Sequence, residues 1–260
     1  MDIETNGTRI HVTQRGSGKL ALVFLHYYGG SSRTWEKVTT ALPDRYRVVA
    51  TDHRGWGDSD APTHGYRIED LANDAAGVIE ALGLKRFVLV GHSMGGKVAQ
   101  LIASRRPEGL EGLVLVAPSP PSPTLLSEEE RATLRGAYQS RGSVEFVIDN
   151  VLTARPIDAA CREKVIEDSL KAAPQAKAAW PEIAMCEDIS AAVTSIVVPT
   201  IVISGERDQV DRVATLQAEL LPRIPHAAMH ILPGIGHLSP LEAPAEVAQH
   251  IASFVAAIED

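Results

Sequence analysis

Ser93 lies in the segment GHSMGG and is the residue of this sequence with the clearest potential for chemistry. The apolar run FVLV before it predicts a buried strand, and the pattern after it predicts a helix. A serine on a sharp turn from strand to helix can act as a nucleophile, and Gly91 and Gly95 keep the turn free of bulky side chains. The helix beginning at Met94 would point backbone N–H groups toward an oxyanion. The alternative is an ordinary serine in a glycine-rich loop.

A serine hydroxyl needs a neighbouring base to accept its proton, so the turn predicts an acid and a histidine further along the chain. On a sheet of this kind the expected order is serine, acid, histidine, each at the carboxyl end of a later strand. The segment IVISGERDQV places Asp208 just beyond an apolar strand. Asp211 and Glu206 are rival acids. We expect Asp211 to face solvent on the following helix, which favours Asp208.

The histidine with the required order is His237, in the loop segment PGIGHLSPLEAP between the last predicted strand and the final helix. Other histidines precede Ser93, adjoin it, or flank or lie within predicted strands and helices. We interpret them as surface, loop or packing residues: His11, His53, His64, His92, His226, His230 and His250. Ser93, Asp208 and His237 therefore predict nucleophile, acid and base for acyl transfer.

Alternating strands and helices predict the sheet that must position these residues. Asn6-Gly7 joins two alternating runs and predicts a hairpin, since both residues tolerate positive φ. Apolar runs typical of strands buried on both faces follow in LALVFLH, RVVATD, FVLV and GLVLVAP. Helical patterns lie between them, one over residues 33–42 with Ser32 as its cap and one ending at Gly83. The alternation predicts an α/β fold with a mostly parallel sheet and helices on both faces.

The alternation stops after Pro118 and resumes near Val198. Between them the sequence has a proline-rich segment and four amphipathic helical patterns, SEEERATLRGAYQ, VEFVIDNVLTA, DAACREKVIEDSLKAA and PQAKAAWPEIAM. VPTIVISG and HAAMHILPG then predict the last strands, and an amphipathic helix closes the chain. We therefore expect a core formed by residues 1–118 and 195–260, with a helical cap insertion over residues 119–194.

Composition limits the class of protein. The 260 residues carry a formal net charge of -8, which argues against nucleic acid as a partner. Cys161 and Cys186 offer no disulfide framework and no metal-ligand spacing, and we expect two reduced thiols. The amino-terminal residues do not resemble a signal peptide, and no apolar run is long enough to span a membrane. We expect a soluble, cytoplasmic protein that forms at most homo-oligomers. No motif for a metal or nucleotide cofactor is present, so we expect none.

The sequence resembles the α/β-hydrolase fold superfamily over nearly its whole length. The resemblance rests on LHYYGG, DHRGWGDSD, GHSMGG, GERDQV and GIGHLSPLEAP. It implies an eight-stranded sheet and an oxyanion hole formed by the N–H groups of Met94 and Tyr28. The chain departs from the usual His-Gly pattern, because Tyr27 follows His26. Tyr27 or Tyr28 would narrow the acyl pocket or donate a phenolic hydrogen bond; alternatively, both only pack beneath the insertion.

The similarity is greatest to small carboxylesterases and to cofactor-free haloperoxidase or perhydrolase relatives. It implies a serine carboxylesterase. We expect small or medium esters, because the sequence has no obvious signal for a long apolar channel, with Tyr27 and, from the apolar surface of the insertion, Trp180 contacting substrate. Lactonase, perhydrolase and carbon–carbon bond hydrolase activities use the same three residues and remain alternatives, as does a ligand-binding receptor. A serine at position 93 argues against dehalogenase or epoxide hydrolase chemistry, which uses an aspartate nucleophile in this fold. Lys97, one turn after Ser93, is interpreted as a helix-surface residue or a buried ion-paired residue rather than a catalyst.

Overall fold

The structure is a computed structural model that describes residues 1–259. Its centre is an eight-stranded sheet with the strand order β1-β2-β4-β3-β5-β6-β7-β8. The strands are β1 Asp2–Thr5, β2 Thr8–Arg15, β3 Ala21–Leu25, β4 Arg47–Thr51, β5 Phe87–His92, β6 Leu110–Val116, β7 Thr200–Gly205 and β8 Ala228–Leu232. Strands β3 to β8 pair in parallel, whereas β1 and β2 are antiparallel to their neighbours. The predicted mostly parallel sheet is confirmed.

The amino-terminal hairpin forms where the sequence predicts it. Asn6 and Gly7 separate β1 from β2, and both have positive φ, 47° and 71° respectively. Asparagine and glycine tolerate this region better than other residues, so the turn is encoded locally. The hairpin then joins the parallel sheet through β2 and β4.

The helices lie on both faces of the sheet and in one long insertion. They are α1 Glu36–Ala41, α2 Ile68–Ala81, α3 Met94–Ser104, α4 Glu128–Gly136, α5 Arg141–Val147, α6 Ala159–Lys171, α7 Pro174–Glu182, α8 Ser190–Val193, α9 Val213–Glu219, α10 Ser239–Glu242 and α11 Pro244–Glu259. The apolar residues of α2, α3 and α9 pack in one cluster, and those of α1 and α11 in another across the sheet. Helices therefore cover both faces, as predicted.

The first predicted helix begins differently from the prediction. Ser31, not Ser32, is the cap, and its side chain accepts a hydrogen bond from the N–H of Arg33. A 3₁₀ turn over Ser32–Trp35 precedes α1. The side chain of Ser31 also donates to Asp168 of α6 at 2.7 Å. A contact with the insertion, which no local pattern reveals, thus holds the residue that starts this helix.

The segment between β6 and β7 is helical and contains α4 to α8. Two of its helices, α4 and α6, begin with local capping signals: the side chain of Ser127 accepts from the N–H of Glu130, and that of Asp158 accepts from the N–H of Cys161. Helix α5 continues into a π-helical turn over Ile148–Leu152. Among residues 1–259, no helix combines the length and the apolar character needed to cross a membrane.

Candidate active site

Ser93 occupies a strained turn between β5 and α3. Its φ of 52° and ψ of −115° lie outside the regions that non-glycine residues favour. The backbone is crowded on both sides: a Cβ on Gly91 would lie 2.4 Å from the carbonyl oxygen of Gly95, and one on Gly95 would lie 2.5 Å from that of Leu25. The two glycines are therefore required by close backbone approach. The turn presents Ser93 at the carboxyl edge of the sheet.

Asp208 and His237 meet beside this turn. His237 Nδ1 lies 2.8 Å from Asp208 Oδ2, and both side chains are buried. The other carboxylate oxygen of Asp208 accepts from the N–H groups of Val210 and Asp211 at 2.8 and 3.0 Å. Burial by itself would lower the pKa of His237, but the neighbouring Asp208 outweighs it and the pKa is raised. The arrangement suits a histidine that receives a proton and is stabilised in its charged form.

The buried side chain of His92 and the partly buried side chain of Glu242 hold the loop that carries His237. His92 Nε2 donates to the carbonyl oxygen of His237 at 2.9 Å. The carboxylate of Glu242 accepts from the N–H groups of Gly236 and Ala154, and so joins this loop to the insertion. The sequence interpretation assigned His92 to packing; it also orients the loop. Glu242 was missed, and its acidic side chain directly after the GIGHLSP loop was the available signal.

Asp211 lies in the site, contrary to the expectation that it faces solvent. It is only 6% exposed, and Ser93 Oγ donates to Asp211 Oδ2 at 3.5 Å. The reason is local: the chain turns back on the carboxylate of Asp208, and α9 begins only at Val213. Burial and repulsion by Asp208 raise the pKa of Asp211 to about 7, although His237 opposes the shift. Within residues 1–259, Ser93 and His237 form no hydrogen bond with each other.

The predicted oxyanion donors belong to Met94, directly after Ser93, and to Tyr28, in the loop after β3. Within the described chain, the backbone N–H groups of Met94 and Tyr28 have no acceptor in the protein. Two hydrogen bonds hold the loop after β3 in place. The N–H of Gly95 donates to the carbonyl oxygen of His26 at 3.1 Å, and the Tyr138 hydroxyl donates to the backbone carbonyl oxygen of Tyr28 at 3.1 Å. Unpaired N–H groups beside a nucleophile are available to a developing oxyanion.

Tyr27 and Tyr28 both line the cavity above Ser93, but their side chains differ in role. The Tyr28 hydroxyl donates to the carbonyl of Lys177 in α7 at 2.8 Å, and its ring lies 5.2 Å from that of Trp56 between centroids. Tyr28 therefore packs beneath the insertion, and its hydroxyl donates its hydrogen bond to the insertion rather than to a group in the cavity. Tyr27 is buried against His92, with ring centroids 5.1 Å apart.

A cavity of about 710 Å³ separates Ser93 from the insertion. Its wall contains Tyr27, Trp180 and His237, and most of the remainder is apolar surface from α4 and α5 and the π-helical turn. Glu129, Glu130 and Asp211 also line it, and within residues 1–259 no lysine or arginine does. The volume falls in the usual range for small-molecule sites, roughly 300–1,000 Å³.

Lys97 of α3 is fully buried, so it is not on the helix surface. Its Nζ donates to the carbonyl oxygens of Ser122 and Met185, at 3.3 and 3.2 Å. These two residues lie near the beginning and the end of the insertion. Burial lowers the pKa of Lys97 to about 8. Lys97 thus connects α3 to both ends of the inserted segment.

One group of side chains outside the cavity has the composition of a metal site. His11, Asp52 and Asp58 could bring one ligand atom each within 4.8 Å of the others. The two carboxylate oxygens of Asp52 already accept from the backbone N–H groups of Ser32 and Asp58, at 2.6 and 2.8 Å. His11 Nδ1 lies 2.8 Å from Asp2. These hydrogen bonds assign the group to holding loops together.

Comparison with known proteins agrees with the observed fold. A sequence model for an "Alpha/beta hydrolase family" matches residues 22–250. Epoxide hydrolase 4 of Mus musculus is 35% identical over 129 residues, which cover 48% of this chain and 35% of that protein. The chain thus spans about a third of the length of that relative. The non-heme haloperoxidase of Rhodococcus erythropolis is 30% identical over 256 residues, with 90% of each chain covered.

Solved structures give the same result for the fold. A thermophilic esterase from Thermogutta terrifontis superposes with a TM-score of 0.85 at 25% identity, with 100% of this chain and 99% of that chain covered. The superposition includes the insertion as well as the sheet, because it covers nearly the full length of both chains. These relatives have different activities, so the chemistry must be argued from the site.

Proposed function

This chain belongs to the alpha/beta hydrolase family, and on that premise we propose that it is a serine hydrolase that cleaves carboxylic esters of small or medium size through an acyl-enzyme. The observation that supports the proposal most is that Ser93, on its strained turn, and His237, paired with Asp208, line the same cavity. A serine, a histidine and a buried carboxylate in this relation are the components of acyl transfer.

In the proposed reaction Ser93 Oγ attacks the ester carbonyl, and His237 Nε2 accepts the hydroxyl proton. The hydroxyl must first leave Asp211 and turn toward His237, a rearrangement consistent with the loose catalytic hydrogen bonds often found before substrate binds. Asp208 holds His237 through Nδ1 and stabilises the imidazolium that forms. His237 then passes the proton to the leaving alkoxide.

The tetrahedral intermediate places negative charge on the former carbonyl oxygen. The N–H groups of Met94 and Tyr28 would donate to it, and each is worth about 3 kcal/mol of barrier if typical. A water molecule, deprotonated by His237, then attacks the acyl-enzyme and releases the acid. A serine nucleophile does not fit epoxide opening, for which this fold uses an aspartate.

The cavity supports acyl groups of small or medium size. Its apolar wall, with Trp180 and Tyr27, can bury an aliphatic chain, and burial contributes roughly 0.8 kcal/mol for each CH₂. We therefore expect kcat/KM for p-nitrophenyl esters to rise with chain length from acetate and to fall once the cavity is filled.

The test is steady-state hydrolysis of p-nitrophenyl esters by the whole chain, with lactones as a second substrate class. We expect many turnovers per active site and a loss of at least about 10⁴-fold in kcat for Ser93→Ala. Ser104→Ala, at the other end of α3, is the matched control and should retain activity. A single turnover would indicate a binding protein, faster cleavage of lactones would indicate a lactonase, and an active, folded Ser93→Ala would refute the nucleophile.

A further inference from the structure

Asp211 is a buried carboxyl group that the proposed reaction does not use. Among residues 1–259, the donors within hydrogen-bonding distance of its side chain are the hydroxyls of Ser93 and Ser119, each 3.5 Å from Oδ2. Both bonds are at the long limit for hydroxyl donors. A buried carboxyl group that forms only long hydrogen bonds is poorly satisfied, and this one lines the cavity. It can accept a better donor from a ligand.

The nearby charged groups are committed elsewhere. His237 is paired through Nδ1 with Asp208, and Lys97 donates to two carbonyl oxygens. The other acids that line the cavity, Glu129 and Glu130, are exposed, and burial raises the pKa of the three lining tyrosines, Tyr27, Tyr28 and Tyr138. Among residues 1–259, Asp211 therefore has no strong protein donor, and no lysine or arginine lines the cavity to attract a carboxylate.

The position of Asp211 relative to Ser93 indicates which part of a substrate it would contact. In an acyl-enzyme the acyl carbon is bonded to Ser93 Oγ, which lies 3.5 Å from Asp211 Oδ2. A substituent on the first or second carbon beyond the carbonyl is three or four bonds from Oγ. A hydroxyl or amino group there can approach Asp211 within hydrogen-bonding distance, roughly 2.5–3.2 Å. In the acyl-enzyme the alcohol has already left, so a contact with Asp211 at that stage is made by the acyl group.

We propose that Asp211 is a specificity-determining residue that selects acyl groups with a hydroxyl or amino group on the first or second carbon beyond the ester carbonyl, and that disfavours acyl groups with a carboxylate there. The inference rests on the proposed ester hydrolysis. It also connects recognition to activation: a substrate donor replaces the Ser93 hydroxyl at Asp211 Oδ2, and the freed hydroxyl donates to His237 instead.

The test compares methyl esters of one chain length: methyl butanoate, methyl 3-hydroxybutanoate, methyl 3-aminobutanoate and monomethyl succinate. Hydrolysis is followed by pH-stat with the wild type, Asp211→Val and Asp211→Asn. We expect the wild type to favour the hydroxy ester over methyl butanoate by about tenfold in kcat/KM, and to hydrolyse the succinate ester at least about tenfold less efficiently. Asp211→Val should bring the hydroxy-to-plain ratio close to one.

Asp211→Asn separates hydrogen bonding from charge, because an amide retains an acceptor without the carboxylate. It should keep part of the preference for the hydroxy ester and lose both the preference for the amino ester and the discrimination against succinate. Glu246→Gln, which changes an exposed carboxyl group of α11 outside the cavity, is the control and should keep every ratio. A wild-type ratio near one, or a ratio that is unchanged in a folded Asp211→Val, would overturn the inference.

A binding measurement separates this inference from the proposed function. In the Ser93→Ala background, titration calorimetry should give a dissociation constant for methyl 3-hydroxybutanoate several-fold below that for methyl butanoate, and Asp211→Val should abolish the difference. If no ester is turned over but this difference is present, ester hydrolysis is wrong and recognition by Asp211 stands. If esters are hydrolysed but neither assay shows the difference, the role of Asp211 is wrong.

Discussion

The two sides of the cavity are built by different means. On the core side, polar groups lie at strand ends and are oriented by hydrogen bonds. The carboxylate of Asp208, for example, accepts hydrogen bonds from two backbone N–H groups and pairs with His237. On the insertion side the wall is mainly apolar, and large side chains reach solvent. Phe146 is 64% exposed although it lines the cavity, and Leu125, nearby in the insertion, is 79% exposed.

The contrast suggests that the core carries out the proposed ester hydrolysis, whereas the insertion selects the substrate. Groups that transfer protons must be positioned to within a fraction of an ångström. The loops that follow the carboxyl ends of the parallel strands hold the side chains with this precision. An apolar wall places weaker demands on geometry, because burial of apolar surface is not directional. Asp211 is the exception, since it is a candidate for selection located on the core side.

The largest effect expected from breaking the core side is that of Asp208→Asn. His237 would lose the carboxylate that fixes its tautomer and stabilises its charge, so kcat should fall by about 10⁴-fold with the fold retained. Glu206→Gln is the matched control, because Glu206 is exposed and accepts only from the backbone N–H of Gly234. The measurement is kcat of both variants on one p-nitrophenyl ester. A greater loss of kcat in Glu206→Gln than in Asp208→Asn would reverse the assignment of the acid.

Gly95→Ala tests the backbone of the same side. The added Cβ would lie 2.5 Å from the carbonyl oxygen of Leu25, so the turn must shift. We expect unfolding free energy to fall by about 3 kcal/mol and kcat to drop about 100-fold, measured by urea denaturation and ester hydrolysis. Gly142→Ala is the control: it lies in α5 with open space around it, and should be neutral or slightly stabilising. Equal losses of stability and kcat in Gly95→Ala and Gly142→Ala would show that crowding around the added Cβ of residue 95 does not cause the loss.

Tyr138→Phe tests whether the insertion supports the oxyanion loop. It removes the hydrogen bond to the carbonyl of Tyr28 and leaves the apolar wall in place. We expect stability to fall by about 1 kcal/mol and kcat to fall several-fold, with little change in KM. Tyr66→Phe loses a comparable bond, to the carbonyl of Pro62, outside the cavity. The Tyr66→Phe variant should reduce stability alone. A similar loss of kcat in this variant would remove the link between the turn after α4 and catalysis.

The smallest effect concerns pH. His237 must be neutral to accept a proton, so kcat/KM should be lost as pH falls through its pKa, which Asp208 and Asp211 raise above 6.5. Asp211 is itself expected to titrate near 7, so the wild-type acid limb reports both groups. Asp211→Asn removes one negative charge, and the midpoint of that limb should move to lower pH. A shift to higher pH would contradict the electrostatic relation, and Glu129→Gln should produce no shift.

Local patterns account for much of the fold and for the composition of the candidate site. The period and length of apolar runs predicted the strands, the GHSMGG turn predicted the backbone at Ser93, and the segments after β7 and β8 contain Asp208 and His237. The prediction for Asp211 was wrong, because sequence spacing could not show that the chain turns back on the Asp208 carboxylate before α9 begins. The cap at Ser31 was missed because part of its stabilisation comes from Asp168 in the insertion.

The sequence by itself determined what depends on neighbours along the chain: the strand-to-helix turn, the capping of the inserted helices and the order of serine, acid and histidine. Tertiary structure decided what depends on distant segments meeting. It directed the Ser93 hydroxyl toward Asp211, committed the Tyr28 hydroxyl to Lys177 and placed Lys97 beneath both ends of the insertion. The physical reason is that local signals act through backbone geometry over a few residues, whereas side-chain partners are chosen by packing between segments far apart in the chain.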